Sequence, residues 1–287
     1  MTSPLILTTH CSDRPGIVAA LSTAIARMGG NIIDAQQFDD IARKQFFARI
    51  VFGSIGDASI SEETAKGGLI SVFEEFRMEW TLRSASQRKR VLLLASKFDH
   101  CLGDLMYRWR IGELEMDVVG VVSNYPRETY RNLSTLDVPY YFLPVTPETK
   151  AAQERELLRI IDEQQVDLVV LARYMQILSD DLSRQLAGRC INIHHSFLPG
   201  FKGAKPYHQA FERGVKLIGA TAHYVTGDLD EGPIIEQDIE RVLHRDTPDE
   251  LVRKGRDIER RVLARAVRLH LADRIIVNGN KTVIFHE

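Results

Sequence analysis

The pattern of hydrophobic residues changes near residue 90, and this change most constrains how the 287-residue chain can fold. Before it, the segments follow the order β-α-β-β-α-β, which is typical of a ferredoxin-like α+β domain. After it, short apolar runs alternate with helical segments; the runs are 91–95, 117–122, 167–172 and 190–194. This alternation favours an α/β domain with a mostly parallel, Rossmann-like sheet. We therefore predict two domains, at 1–84 and 91–287, joined by a polar and basic linker at 85–90.

The first domain has clear boundary signals. A strand is predicted at 5–10, and Ser12 or Asp13 is expected to cap the helix that follows, with Pro15 tolerated in its first turn. Gly29-Gly30 is expected to end that helix. The remaining elements are predicted as strands at 31–38, 45–52 and 78–83 and a helix at 61–77.

Composition excludes several classes of protein. Lys and Arg number 37 and Asp and Glu 39, so the net charge of −2 gives no basic surplus for wrapping nucleic acid. The sequence has neither the run of about 20 apolar residues that spans a membrane nor the start of a signal peptide. Three widely spaced cysteines do not form a disulfide framework, and no histidine pair has metal-ligand spacing. We expect a cytoplasmic protein without a metal and without a nucleic-acid or membrane partner.

The densest polar group is the segment 192–200, which follows an apolar strand. Alternate residues of a strand share a face, so Asn192 and His194 should point together and His195 away from them. Ligands of open α/β sheets bind beyond the carboxyl ends of the strands. An amide beside an imidazole can stabilise a developing oxyanion and move a proton there. An Asn-x-His pair of this kind also occurs as a purely structural element.

An acidic loop lies between two later strands, at 226–233. It lacks the ligand spacing of a calcium loop, so a solvated turn or a functional carboxylate remains. If one carboxylate turned inward to meet His194, it would orient the imidazole and raise its basicity.

Several polar residues in this half of the chain stand at fixed places among apolar ones, in the segments Asn192-Ile193-His194 through Pro199, 219–225 and 229–235, with 171–178 before them. Together they resemble the formyltransferase superfamily that uses 10-formyltetrahydrofolate, over roughly 90–287. Residues 5–83, with Asp13-Arg14-Pro15-Gly16, resemble an ACT domain. The two joined resemble the family of formyltetrahydrofolate deformylases.

The resemblance implies roles for individual residues. Asn192 would donate a hydrogen bond to the formyl oxygen, His194 would stabilise the tetrahedral centre and transfer a proton, and Asp230 would pair with His194 and position water. No metal or other cofactor is implied. Backbone groups of 173–178 and 225–230 would bind the pterin edge. The residues implied to bind substrate are Arg173, Met175, Gln176, Ile177, Leu178, Lys205, His223, Val225 and Asp228.

Three functions compete. A hydrolase would convert 10-formyltetrahydrofolate and water to tetrahydrofolate and formate, supplying formate for purine synthesis and balancing the one-carbon folate pool. A transferase would pass the formyl group to glycinamide ribonucleotide or initiator tRNA. An amino-acid sensor would keep only a folate-binding domain. The segment 96–103 has neither the G-x-G-x-x-G of a dehydrogenase nor a Gly/Ser-rich phosphate loop, and Asp99 would repel phosphate. No RNA-binding domain follows the last long helix. These observations favour the hydrolase.

The ACT resemblance also implies regulation. Such domains pair side by side and bind small amino acids through the first strand–helix loop, so the expected effector site comprises Ser12, Asp13, Pro15, Gly16 and Asn31. Glycine and methionine are the implied effectors. A homotetramer is the implied assembly, with ACT pairing as one contact.

Overall fold

The computed structural model describes residues 3–54, 59–131, 133, 137–199 and 206–286, with the backbone alone at 206. Two compact units are present. The first is Met1–Arg88 with Ala272–Asn278 and Val283–Glu287, and the second is Lys89–Leu271 with Gly279–Thr282. The sequence predicted the second domain at 91–287, whereas Ala272–Asn278 and Val283–Glu287 belong to the first unit. Within the described residues, no helix combines the length and apolar character needed to cross a bilayer.

The first unit is an antiparallel sheet with two helices. Its elements are β1 (Leu5–Ser12), α1 (Ile17–Arg27), β2 (Gly30–Asp40), β3 (Gln45–Ser54), α2 (Glu62–Phe76) and β4 (Glu79–Ser84). The strand order β2-β3-β1-β4 is that of the predicted ferredoxin-like fold.

Both faces of this sheet are covered within the first unit. On β3, Phe46 and Phe52 point into the core beneath the helices. Phe47 points to the other face, where it packs with Ile276, Val283 and Phe285. Because side chains alternate along a strand, a strand covered on both faces is mostly apolar. Arg49 is the one charged residue of 46–52, and its Nη1 lies 2.9 Å from Oδ2 of Asp34.

The start of α1 differs from the expectation. Neither Ser12 nor Asp13 caps it, because β1 continues through Ser12 and the Asp13 N–H donates to the carbonyl of Lys44 at 2.9 Å. Gly16 instead precedes the helix, with a φ of 98° that favours glycine. The helix therefore begins at Ile17, after Pro15 rather than around it.

The second unit is an α/β layer structure. Its strands are β5 (Lys89–Ala95), β6 (Met116–Ser123), β7 (Tyr140–Phe142), β8 (Leu168–Leu171), β9 (Cys190–His194), β10 (Leu217–Tyr224) and β11 (Ile234–Arg241). Its helices are α3 (His100–Arg110), α4 (Lys150–Glu163), α5 (Asp180–Gln185), α6 (Pro206–Glu212) and α7 (Pro248–Leu271). The chain ends in a hairpin of β12 (Ile275–Asn278) and β13 (Lys281–Ile284).

The seven strands of this sheet are ordered β11-β10-β9-β8-β5-β6-β7. The pairs from β9 to β7 are parallel, and β10 and β11 add antiparallel. The mostly parallel sheet is therefore confirmed. The sequence did not predict β7, α5 or the 3-10 helix Arg127–Tyr130, which are short and lack a full period of the hydrophobic pattern.

Candidate active site

Strand β9 places Asn192 and His194 between two neighbours. Asn192 lies beside Leu171 of β8, at the end of that strand, and directly opposite His223 of β10. Asn192 and His194 both line one cavity, as does Ile193 between them. The antiparallel partner β10 thus brings a second histidine to the site, since directly opposed residues of paired strands are close neighbours.

Asn192 is held by His223. The His223 ring is buried, and its Nδ1 donates to the carbonyl of Tyr224 at 2.9 Å. In the neutral ring, Nε2 is then the acceptor and receives a hydrogen bond from Asn192 Nδ2 at 3.2 Å. An amide nitrogen carries two hydrogens, so the second remains for an oxygen bound in the cavity.

His194 and Asp230 form the charged part of the site. Nδ1 of His194 lies 3.2 Å from Oδ1 of Asp230, and Nε2 of His223 lies 3.7 Å from the same oxygen. Burial alone would raise the pKa of Asp230, but the hydrogen bond from His194 and the nearby His223 ring outweigh it and hold that pKa below its usual range. The carboxylate therefore stays charged and fixes the His194 ring. Nε2 of His194 is buried without a hydrogen-bond partner among the described residues.

The loop between β10 and β11 delivers Asp230 to this place. Asp230 adopts a left-handed φ of 58°, which few residues other than glycine, Asn and Asp tolerate. Gly232 lies against the backbone of β10, where a Cβ would sit 1.7 Å from the carbonyl oxygen of Tyr224. A glycine is therefore needed for the loop to fold back onto the strand.

These groups open onto a cavity of about 680 Å³, and a smaller one of about 70 Å³ adjoins it. Met175 and Ile177 line the larger cavity with side chains 53% and 61% exposed. Apolar side chains this exposed are not core residues, so their lining of a cavity favours a bound apolar ring.

The structure brings the other predicted substrate-binding residues to the same two cavities. Arg173 and Gln176 line the larger one. The smaller one is lined by Gln176, Leu178, His223, Val225 and Asp228, together with Asn192 and Asp230. Lys205 lies outside the described residues. In the first unit, the predicted effector residues Ser12, Asp13, Pro15, Gly16 and Asn31 are all exposed.

A second polar cluster was missed by the sequence analysis. Glu259 of α7 is 1% exposed and accepts hydrogen bonds from His100 Nε2 and the Tyr207 hydroxyl, both at 2.7 Å. Nε of Arg173 lies 3.3 Å from the same carboxylate. Arg173 also donates to Nδ1 of His195. The charge of Glu259 is therefore fully compensated in the interior, as buried ions require.

One signal in the sequence could have revealed this cluster. Glu259 stands within the apolar stripe of α7, beside Ile258 and Val262, where an unpaired charge would be costly. Gly255, one turn earlier, was a second signal. The Tyr207 ring occupies the space of its missing side chain, since a Cβ there would lie 2.0 Å from Cζ of the ring.

Among the described residues, one group is close enough together to hold a metal ion. It consists of His100, Cys101 and Glu259, whose ligand atoms lie within 4.8 Å of one another. Their chemistry does not fit a metal ion. Both oxygens of Glu259 already accept hydrogen bonds beside the Arg173 cation. Burial raises the pKa of the Cys101 thiol well above its usual value, so the thiol stays protonated.

Comparison with known proteins agrees with this geometry. Residues 89–267 match the family model described as formyl transferase, and residues 5–66 match that of the ACT domain. Formyltetrahydrofolate deformylase of Bacillus subtilis is 47% identical over 98% of this chain and 93% of its own. The crystal structure of formyltetrahydrofolate deformylase from Burkholderia mallei has a TM-score of 0.94 at 46% identity, covering 99% of this chain and 100% of that one.

A glycinamide ribonucleotide transformylase from Symbiobacterium toebii is a more distant neighbour. Its TM-score is 0.63 at 31% identity, over 69% of this chain and 95% of its own. The fold and site thus define a formyl transferase domain joined to an ACT domain. Because the similarity to the deformylases extends over nearly the whole length of both chains, the chain belongs to the formyltetrahydrofolate deformylase family.

Proposed function

We propose that this protein hydrolyses 10-formyltetrahydrofolate to tetrahydrofolate and formate, acting on a linear amide carbon–nitrogen bond without a metal or other cofactor. The observation that carries the proposal is the state of His194. Its Nδ1 faces the Asp230 carboxylate, and its Nε2 is buried at the cavity without a described partner. A ring held in this way has one nitrogen oriented and the other available for proton transfer.

The reaction follows from these groups. Water attacks the formyl carbon, and the carbonyl oxygen becomes an oxyanion that receives hydrogen bonds from Asn192 and His194. His194, oriented by Asp230, carries a proton from the attacking water to N10 as the carbon–nitrogen bond breaks. The products are tetrahydrofolate and formate, and at neutral pH one proton is released to solvent. The pterin is expected where the two cavities adjoin, with the backbone of 173–178 and 225–230 at its edge.

Water is the proposed acceptor because of the residues at the far end of the large cavity. Phe98 and His100 line this end, in the segment where a transferase would hold the ribonucleotide phosphate. Asp99, on which the sequence argument relied, precedes α3 and does not line the cavity. The bulk of Phe98 and the buried His100–Glu259 pair, rather than the charge of Asp99, support the absence of a phosphate cradle.

The experiment is product analysis with the purified full chain. The protein is incubated with 10-formyltetrahydrofolate, with and without saturating glycinamide ribonucleotide, and formate and formylated ribonucleotide are measured by mass spectrometry. We expect formate in both reactions at equal rates and no formylated ribonucleotide. Faster formation of formylated ribonucleotide than of formate would identify a transferase instead. Absence of any turnover, with folate bound, would favour the sensor.

We also infer regulation by a small amino acid, with glycine and methionine the candidates, and a homotetrameric assembly. Exposed apolar side chains of β2, Ile33 at 60% and Phe38 at 46%, support a contact along this edge strand. Titration of activity with each amino acid and light scattering of the pure protein test these two inferences. Three buried free thiols support residence in the reducing cytoplasm, and the formate is expected to serve purine synthesis.

A further inference from the structure

The large cavity continues past the reacting groups. Gln176, Asn192 and Asp230 line both cavities and so mark the junction between them. Beyond the junction, the large cavity is lined by residues that the small cavity does not share, among them Phe98, His100, Tyr207, Val252, Arg256 and Glu259. If the folate occupies the junction, as the proposed function requires, this Phe98 end remains for a second molecule.

Two guanidinium groups flank the Phe98 end. The central carbon of Arg173 lies 5.9 Å from the centroid of the Phe98 ring, and that of Arg256 lies 5.8 Å from it. Arg256 is exposed and has no hydrogen bond or ion pair within the described part of the chain. The side chain of Arg173 is 10% exposed, and among described residues Nη1 is the one nitrogen of its guanidinium with a hydrogen-bond partner.

The charge at this end is positive overall. Glu259 offsets Arg173, since its carboxylate lies 3.3 Å from Nε of that side chain. Arg256 is left without a described counter-charge at the wall of the same cavity. Planar guanidinium groups match the geometry of carboxylates, and cationic groups at a cavity wall attract small anions.

Hydrolysis creates an anion beside the reacting groups Asn192, His194 and Asp230. Cleavage of the carbon–nitrogen bond gives formate, which carries the formyl oxygen and the oxygen of water, beside the Asp230 carboxylate, whose pKa is held below its usual range. Formate and the Asp230 carboxylate are both negatively charged and repel each other, and the folate still fills the opposite side of the cavity. The attraction that can draw formate away comes mainly from Arg256, because Glu259 offsets the charge of Arg173.

We propose that the Phe98 end of the cavity is a formate subsite, through which the product leaves while tetrahydrofolate is still bound. This inference rests on the proposed function and adds the order of product release. It assigns Arg256 to the recognition of a small carboxylate and Arg173 to the inner wall of the exit.

Product inhibition tests the order of release. If formate leaves first, added formate binds the complex with tetrahydrofolate and inhibits noncompetitively against 10-formyltetrahydrofolate, whereas tetrahydrofolate inhibits competitively. Competitive inhibition by formate would overturn the proposal. Substitution Arg256→Gln should raise the inhibition constant of formate by about three- to tenfold, as expected for loss of a charged hydrogen-bond partner. Arg253→Gln, an exposed arginine of the same helix that does not line the cavity, is the matched control and should leave it unchanged.

Direct binding separates this proposal from the proposed function. Line broadening of ¹³C-formate by the full chain is measured at constant ionic strength with saturating tetrahydrofolate. We expect broadening that Arg256→Gln weakens and Arg253→Gln preserves. Equal broadening by the two variants, or loss of broadening when tetrahydrofolate is added, would overturn the subsite. A wild-type protein that releases no formate from 10-formyltetrahydrofolate contradicts the proposed function, yet this measurement still reports on the anion site.

Discussion

The rings of His194 and His195 stack on each other, with centroids 5.0 Å apart and planes inclined by 24°. Strand alternation had predicted that they point to opposite faces. The prediction was wrong because β9 ends at His194 and the chain bends at His195, where alternation no longer applies. Both rings therefore line the same cavity. His195 connects His194 to Arg173, and Arg173 connects to the buried Glu259.

Replacing Asp230 should remove the charge that orients His194 while keeping the shape of the site. We expect Asp230→Asn to lower the rate of formate release by at least about 10²-fold, the scale of acid–base catalysis, with folate binding largely kept. Formate release at saturating substrate and equilibrium binding of tetrahydrofolate measure the two effects. Asp257→Asn, which removes a carboxylate from the surface of α7, is the control. Near-normal turnover of folded Asp230→Asn would contradict the assignment.

The loop that carries Asp230 provides a second test. In Gly232→Ala the new methyl group would collide with the carbonyl of Tyr224, so the loop must move and Asp230 with it. A displacement of about 1 Å can cost about 10²-fold in rate, and we expect a loss of tenfold or more. Gly67→Ala, in the helix α2 of the first unit, meets no atom within 4 Å and should retain its activity. Equal activity of the two variants would show that the loop tolerates the shift.

Glu259→Gln should destabilise the second unit, because it leaves the Arg173 charge buried without its partner. Removing one member of a buried ion pair costs about 3–5 kcal/mol. Urea unfolding followed by circular dichroism measures the change. Glu163→Gln, which removes an exposed pairing with Arg159, should change the free energy of unfolding by less than about 1 kcal/mol. A Glu259→Gln protein as stable as the wild type would argue against a charged network.

The C-terminal residues should stabilise the first unit. Phe285 is 4% exposed and packs with Phe47, so Phe285→Ala should cost about 3–5 kcal/mol. Val277→Ala, at a side chain 39% exposed in the same hairpin, should stay within about 0.5 kcal/mol. Thermal unfolding of both variants measures the two changes in the free energy of unfolding. For the same reason, a chain starting at Gln87 lacks the sheet that Phe285 covers, so point substitutions at Asn31 are the better test of the effector site.

Alkaline pH should weaken the second unit. Burial raises the pKa of Tyr174 to about 12, although a hydrogen bond with Gln153 opposes this. The unfolded chain has a tyrosine pKa near 10, so the contribution of Tyr174 is complete below pH 10 and is lost as pH rises towards 12, by about 3 kcal/mol. Unfolding free energies measured from pH 8 to 12 should fall less steeply in Tyr174→Phe than in Tyr107→Phe, whose ring is 56% exposed.

The order of elements and the reacting residues were visible in the sequence. Hydrophobic periodicity, turn residues and strand alternation are local properties, so they indicated both sheets, the long helix α7 and the strand that carries Asn192 and His194. The turn of the terminal hairpin also has a local signal, since Gly279-Asn280 connects β12 to β13 and Gly279 has a φ of 64°. The pairing of His194 with Asp230 was a conditional expectation that the fold fulfils.

Tertiary structure alone decided which distant residues meet. His100, Tyr207 and Glu259 come from three helices, and no local pattern states that they share one carboxylate. Residues 272–278 and 283–287 join the first unit because Phe47 leaves an apolar face that Ile276, Val283 and Phe285 cover. Such contacts depend on how buried surfaces fit together across elements far apart in the chain. The sequence pattern shows that an apolar face must be covered, but it does not show which residues cover it.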